Sequence, residues 1–292
     1  MDQQVKFNEN WTGSVGITHH AVVAGSGELG QILPDVAVSP IEISEDFTSA
    51  YLGLGYRTAV TAGSGRIETR LTEAEDTYIA SGSISREVSE TFSVAGTARL
   101  QLTQPEDLGV GESDEVIGNL RAGFAWRPRV EGPVILNRLD LKYDRSRFGE
   151  TTTKVVNNLA ANTNIGDRTQ LAGHYGVKYV RSEFGGIDVS GFTHLVGAEA
   201  RFDVTKRIDL GIHGSILYVP GSGTTEYSWG PSIGVSPLDN VWLSLGYNFD
   251  GFDDDDFEAA RYTREGLYLK LRLKFDEDTA RSILDMLSPY SE

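Results

Sequence analysis

The sequence predicts an all-β protein: an antiparallel up-and-down transmembrane β-barrel of about fourteen strands with a short C-terminal helical tail. Three observations predict it. Apolar and polar residues alternate with period two in segments of about ten residues, the length of a tilted membrane strand, whereas helical periodicity is nearly absent. Tight turns alternate with connections that are usually longer and acidic. No stretch approaches about 18 apolar residues, so we expect no transmembrane helix.

The composition excludes several other classes of protein. The chain has 292 residues, with 42 acidic against 26 basic residues and a net charge of −16. This charge argues against nucleic acid as a partner, because a nucleic-acid binder needs a basic face. Since cysteine is absent, disulfides and thiolate metal sites are excluded. The first ten residues do not read as a signal peptide, so an exported barrel requires a signal that has been removed.

Fourteen alternating segments are interpreted as strands, in chain order approximately 11–23, 50–59, 66–75, 77–87, 92–103, 116–127, 134–145, 153–165, 168–181, 191–204, 207–219, 225–237, 241–250 and 265–275. The alternation is weakest in 66–75, so twelve to sixteen strands also fit the pattern. Tight turns are expected at 89–91, 127–133, 166–168, 205–207 and 238–240. Longer, acidic connections are expected at 24–49, 104–115, 182–190 and 251–264, with a solvated acidic loop at 253–258.

Each predicted strand is apolar on one side only, as a barrel in a bilayer requires. The side predicted to face lipid includes Leu100, Phe124, Phe202, Leu243, Leu245, Leu267, Leu269, Leu271 and Leu273. The side predicted to face the lumen includes Arg99, Arg121, Arg138, Lys142, Lys178, Glu199, Arg201, Lys270 and Arg272. Cations outnumber anions on that side, and the small inward residues of 225–237 are expected to leave space in the lumen.

The segment from Val241 to Asp278 contains Gly-Tyr-Asn-Phe at a strand end, a loop with Asp-Asp-Phe and Tyr-Thr, and a final strand that ends in Lys-Phe-Asp. It resembles the closing hairpin of the outer-membrane β-barrel domain that ends large, repeat-rich surface proteins of Gram-negative bacteria. The resemblance extends more loosely back to about Thr77. It implies a barrel that holds or presents an N-terminal surface region. This sequence differs from the family in continuing past Phe275 and in having no repeat region.

Outer-membrane barrels commonly end in an amphipathic strand with a terminal aromatic residue that the barrel-assembly machinery reads. Leu271, Leu273 and Phe275 fit this terminal strand signal. We therefore predict one barrel over residues 1–275 and a tail over 276–292, in which Ile283, Leu284 and Leu287 would share one helix face. The expected location is the outer membrane of a Gram-negative bacterium, with the long acidic loops extracellular and both termini periplasmic.

The leading functional interpretation is a membrane anchor or display barrel whose partners are outer-membrane lipid, lipopolysaccharide, the assembly machinery and an N-terminal passenger. The alternative is a passive pore that prefers anions because its lumen is rich in Arg and Lys. A soluble β-sandwich lectin is a third interpretation. No serine, histidine or cysteine pattern points to an enzyme, and no cofactor is expected. The oxygen-rich run Asp253, Asp254, Asp255 and Asp256 is a weak candidate for a metal site, because it lacks the spacing of an EF-hand.

Overall fold

The computed structural model describes residues 2–20, 46–109, 111–129, 132–238, 241–260 and 263–273. These residues form fifteen strands: β1 (Asp2–Lys6), β2 (Trp11–His20), β3 (Phe47–Arg57), β4 (Thr61–Leu71), β5 (Glu75–Ser89), β6 (Phe92–Pro105), β7 (Glu115–Trp126), β8 (Val134–Arg145), β9 (Thr151–Ile165), β10 (Thr169–Phe184), β11 (Ile187–Asp203), β12 (Ile208–Val219), β13 (Thr224–Leu238), β14 (Val241–Asn248) and β15 (Gly266–Leu273).

The strands form a single sheet in which each strand pairs with its neighbours in sequence. This topology confirms the all-β, antiparallel up-and-down fold class. The fifteenth strand is β1, which the sequence interpretation did not include.

The strand register follows the alternation of side chains. In the β14–β15 ladder, Leu245 lies opposite Leu269, and Ser244 lies opposite Lys270. Apolar residues therefore face apolar residues across the ladder, and polar residues occupy the other face. A slip of one residue would exchange the two faces of a strand, so this pattern fixes the register.

One predicted connection is wrong. Residues 182–190 were expected to form a long acidic loop, but β10 continues to Phe184 and β11 begins at Ile187. The turn consists only of Gly185 and Gly186, which have φ values of 56° and 79°. A two-residue hairpin turn with both residues at positive φ matches the twist of its strands, and glycine adopts that backbone without a steric penalty. The Gly-Gly pair therefore allows both strands to extend.

The described residues contain one short 3₁₀ turn, Glu258–Ala260. Across the same ranges, no helix has both the length and the apolar character needed to cross a membrane. The predicted tail, 276–292, and the terminal Phe275 lie outside the described residues.

Contacts between Cα atoms divide the chain into two compact units. Unit 1 comprises 1–124, 140–155 and 180–190, and unit 2 comprises 125–139, 156–179 and 191–292. The buried hydrophobic cluster belongs to unit 2 and consists of Val156, Leu195, Leu217, Phe252, Phe257 and Ala260. Three of these six residues come from strands, and three come from the loop between β14 and β15.

Candidate functional site

The apolar residues of the strands lie on an exposed face of the sheet. Leu267, Leu269 and Leu271 of β15 have exposed fractions of 75%, 59% and 59%. The other predicted lipid-facing residues that are exposed are Leu100, Phe202, Leu243 and Leu245. Phe124 is half-buried against Phe92, with ring centroids 5.8 Å apart. The side chain of Leu273 lies outside the described part of the chain. This face carries large apolar side chains that no described segment covers.

The opposite face of unit 2 is polar and closely packed. Ser228 and Ser244 are 1% exposed, and Asn248 is fully buried. The prediction that small inward residues of 225–237 leave space is wrong, because neighbouring side chains fill that space. A Cβ atom on Gly234 would collide with the Asp209 carboxylate. In the adjoining ladder, a Cβ atom on Gly246 would collide with the ring of Tyr268.

Several predicted lumen residues meet around Trp242. Arg201 forms an ion pair with Glu199 at 2.6 Å, and its Cζ atom lies 3.9 Å from the centre of the Trp242 ring. The indole Nε1–H of Trp242 donates a 2.7 Å hydrogen bond to Asp209 Oδ2. Arg272 Cζ lies 5.0 Å from the same ring. We call Glu199, Arg201, Asp209, Trp242 and Arg272 the Trp242 cluster.

The sequence interpretation did not single out Trp242 as a site residue. The available signal was its position in β14, because Trp242 lies on the same side of the strand as Ser244 and Asn248 and alternates with the leucines. Lys270, the remaining predicted cation of β15, lies on the same polar face, with Nζ 4.9 Å from the centre of the Tyr268 ring. Tyr268 Oη is hydrogen-bonded at 3.3 Å to His213, whose other ring nitrogen is 2.7 Å from Asn248 Oδ1.

The described residues of the connection between β14 and β15, 249–260 and 263–265, fold onto the polar face of unit 2. Phe257 is fully buried, and its ring lies where a Cβ atom on Gly176 would be, 2.5 Å from the ring carbon Cδ1. Phe252 is buried in the same cluster. The Thr263 hydroxyl donates to the carbonyl oxygens of Phe252 and Ala260, both at 2.7 Å. These two hydrogen bonds therefore join Thr263 to the loop segments around Phe252 and Ala260.

Ion pairs join this loop to the strands. Lys178 Nζ lies 2.5 Å from Asp254 Oδ2 and 3.3 Å from Asp256 Oδ2, and all three side chains are mostly buried. Arg138 forms an ion pair with Glu258. The expectation of a solvated acidic loop at 253–258 is therefore wrong for Asp254 and Asp256, because a buried lysine and an aromatic core hold them against the sheet.

The aspartates that were weak candidates for a metal site have different ion-pair partners in the structure. Asp254 and Asp256 contact Lys178, whereas Asp253 forms an ion pair with Arg264. The hydrogen bond from Arg264 to Asp253, and then the negative charge of that carboxylate, raise the pKa of Arg264 above its ordinary value. Among the described residues, no group of three or more His, Asp or Glu side chains is arranged to hold a metal ion.

The predicted lumen residues of unit 1 have their own contacts within that unit. Arg121 Nε donates to Asp140 Oδ1 at 2.5 Å, and Asp140 is buried. Arg99 donates to Gln101 Oε1 at 3.1 Å. Arg99, Arg121 and Lys142 are all exposed. The polar face of unit 1 thus presents exposed cations, while the loop covers part of the polar face of unit 2.

Comparisons with known proteins give little further information. No family model matches the sequence, and no curated protein matches it significantly. Among the solved structures that match, one is described as "Bacterial polysaccharide outer membrane secretin". It has a TM-score of 0.42 and 10% sequence identity, with 94% of this chain and 90% of that chain covered. At these values the likeness supports no argument about function.

Proposed function

We propose that this protein is an outer-membrane β-barrel that anchors or presents a surface region. The observation that supports the proposal is the exposed apolar face, on which Leu267, Leu269 and Leu271 follow one another along β15 with more than half of each side chain exposed. Soluble proteins rarely expose continuous apolar patches of more than a few hundred Å². A lipid environment makes this face favourable, since apolar side chains facing hydrocarbon need no protein cover.

A matched pair of substitutions in β6 tests the membrane placement. Leu100 is 54% exposed on the apolar face, and Thr97 is exposed on the polar face three residues away. In lipid, Leu100→Arg should lower the free energy of unfolding by about 2–4 kcal/mol, because the charge enters the bilayer. Thr97→Arg should change it by less than about 1 kcal/mol. The measurement is urea unfolding after reconstitution into phospholipid vesicles.

The same pair distinguishes the soluble alternative. If water covers the apolar face, Leu100→Arg places a charge on a solvated surface, and the two variants should be equally stable. That result, or a monomer that remains folded in buffer without detergent, would contradict the membrane proposal. Migration on a gel that changes with heating, together with a β-type circular dichroism spectrum in micelles, would agree with it.

The orientation is tested by labelling intact cells. Our proposal places the connections after even-numbered strands outside the cell and those after odd-numbered strands in the periplasm. An epitope inserted at Phe148, which is 70% exposed, should be labelled on intact cells. The same epitope inserted between β9 and β10, at residues 166–168, should be labelled only after permeabilisation. The reverse labelling would invert the proposed orientation.

A passive, anion-preferring pore is the second candidate, and the exposed cations of unit 1 favour it. Fixed positive charge in a confined aqueous path attracts anions and repels cations. Planar-bilayer recording separates the two candidates. We expect no steady conductance, because the described residues of the loop between β14 and β15 pack buried aromatic rings and ion pairs against the polar face of unit 2. Large, stable anion-selective currents from the whole chain would favour the pore over the anchor.

A further inference from the structure

The polar face of unit 1 contains a cavity of about 650 Å³ with a cationic lining. Arg66, Arg99, Arg121 and Lys142 line it, and Asp140 is the single carboxylate among its described lining residues. The whole chain, in contrast, carries a net charge of −16. The lining of the cavity therefore carries a net positive charge, whereas the whole protein carries a net negative charge.

Contacts within unit 1 hold the three guanidinium groups in place without burying them. Arg66 pairs with Glu68 at 2.8 Å, and its Cζ atom lies 3.7 Å from the centre of the Tyr51 ring. Arg121 is held by the buried Asp140. The side chains of Arg66 and Arg121 nevertheless remain 46% and 58% exposed. Such fixed guanidinium groups can bind an anion with less loss of side-chain entropy than mobile ones.

Two of the four cations have no carboxylate partner in the described structure. The hydrogen-bond acceptor of Arg99 is the neutral amide of Gln101, which positions the guanidinium but does not compensate its charge. Lys142 is exposed and makes no described ion pair. An incoming anion would therefore meet at least two uncompensated positive charges in one cavity.

Much of the remaining lining is short and rich in hydroxyl groups, alongside Leu54, Leu120 and Leu141. It includes Thr12, Ser14, Ser64, Ser81, Ser83 and Thr97, interspersed with glycines. The hydroxyl oxygens of Ser64 and Ser83 lie 2.7 Å apart. Short side chains leave the volume open, and hydroxyl groups both donate and accept hydrogen bonds. The volume lies within the range of about 300–1,000 Å³ typical of small-molecule sites, and it exceeds what one inorganic anion fills.

We propose that this cavity is a saturable binding site for a short oligosaccharide that carries two or more anionic groups. Guanidinium forks match the geometry of both carboxylate and phosphate groups, while the serine and threonine hydroxyls match a sugar framework. This site is separate from the proposed anchoring function, because its binding chemistry does not require the apolar face to lie in a membrane.

The experiment is isothermal titration calorimetry on the folded full-length chain in zwitterionic detergent micelles. The probes are trigalacturonate, which carries carboxylates; inorganic tripolyphosphate, which carries phosphates; and neutral maltotriose. We expect saturable binding of trigalacturonate, at least about tenfold tighter than maltotriose and weaker as salt is added. Binding of trigalacturonate, with or without binding of tripolyphosphate, supports the proposal. Binding of tripolyphosphate alone would show a site for phosphate groups without recognition of a sugar framework, and would overturn the proposal.

Two double variants with equal loss of charge test the location of the site. Arg99→Gln with Lys142→Gln should weaken binding at least about tenfold, because charge-assisted contacts are lost. Lys6→Gln with Arg86→Gln removes the same charge from exposed positions outside the lining and should change binding less than about twofold. The exchange Arg99→Lys with Lys142→Arg keeps the charges and should retain binding. Circular dichroism and heat-modified migration identify any variant that fails to fold.

Three further results would overturn this proposal. One is no binding of either anionic probe to the wild-type chain at millimolar concentration. The second is maltotriose affinity equal to that of the anionic probes, since charge would then play no part. The third is an equal loss of binding in the control double variant, which would show a general effect of net charge. None of these outcomes depends on whether the membrane tests succeed.

Discussion

The packing of Phe257 gives the sharpest test of the loop fold. Phe257→Ala removes a fully buried ring that lies over Gly176 in a cluster with Leu195 and Leu217. Truncation of a buried phenylalanine to alanine typically costs about 3–5 kcal/mol through lost apolar contacts and a residual cavity. Since the ring belongs to a loop packed on strands, this loss should act first on local opening of the loop.

Amide hydrogen exchange measures that opening. Three amides depend directly on the docked loop, since Phe252 N donates to Thr263 O, Phe257 N to Asp254 O, and Ala260 N to Phe257 O. A loss of about 3–5 kcal/mol corresponds to a fall of roughly two to almost four powers of ten in their protection, until exchange becomes as fast as in an open loop. Protection in the β12–β13 ladder should remain, because those hydrogen bonds do not involve the loop.

Phe148→Ala is the matched control. It deletes the same atoms from a side chain that is 70% exposed in the connection between β8 and β9. This control should leave exchange in 249–265 unchanged. Unchanged protection in Phe257→Ala, or an equal fall in Phe148→Ala, would refute the conclusion that burial of the Phe257 ring holds the loop on the sheet.

Three further predictions use the same structure. Lys178→Met leaves the mostly buried Asp254 and Asp256 without this cation. Measured by hydrogen exchange, it should destabilise loop docking by about 3–5 kcal/mol. Arg181→Met, which breaks the exposed pair with Asp188, is the control and should cost less than about 1 kcal/mol. Gly176→Val should expel Phe257 and expose the loop to Glu-C protease, whereas Gly191→Val, with nothing within 4 Å of its Cβ position, should leave the cleavage rate unchanged. Trp242→Phe removes the 2.7 Å hydrogen bond to buried Asp209. Measured by urea unfolding, it should lower the free energy of unfolding by about 1–3 kcal/mol. Stability equal to that of the wild type would show that water replaces the indole donor.

The sequence by itself determined the strands and their faces. Alternation along β15, Leu267 to Leu273, is a property of neighbouring residues, and a strand converts it directly into two chemically different faces. The same argument predicted most strand positions and the meander, because short connections between alternating segments force neighbouring strands to pair. It did not include β1, which at five residues is too short for its alternation to stand out.

Tertiary structure alone decided what covers the polar face. The run Asp253–Glu258 has the composition of a solvated loop, and nothing local indicates that Asp254 will meet Lys178, 76 positions away. The one signal was Phe257, an aromatic residue inside an acidic run. Its burial depends on a glycine at position 176, on a neighbouring hydrophobic cluster and on ion pairs from two strands. These contacts exist only once the strands are registered, because each joins residues that are distant in the chain. The sequence therefore determined the two faces, and long-range packing determined which part of the polar face is filled and which remains open.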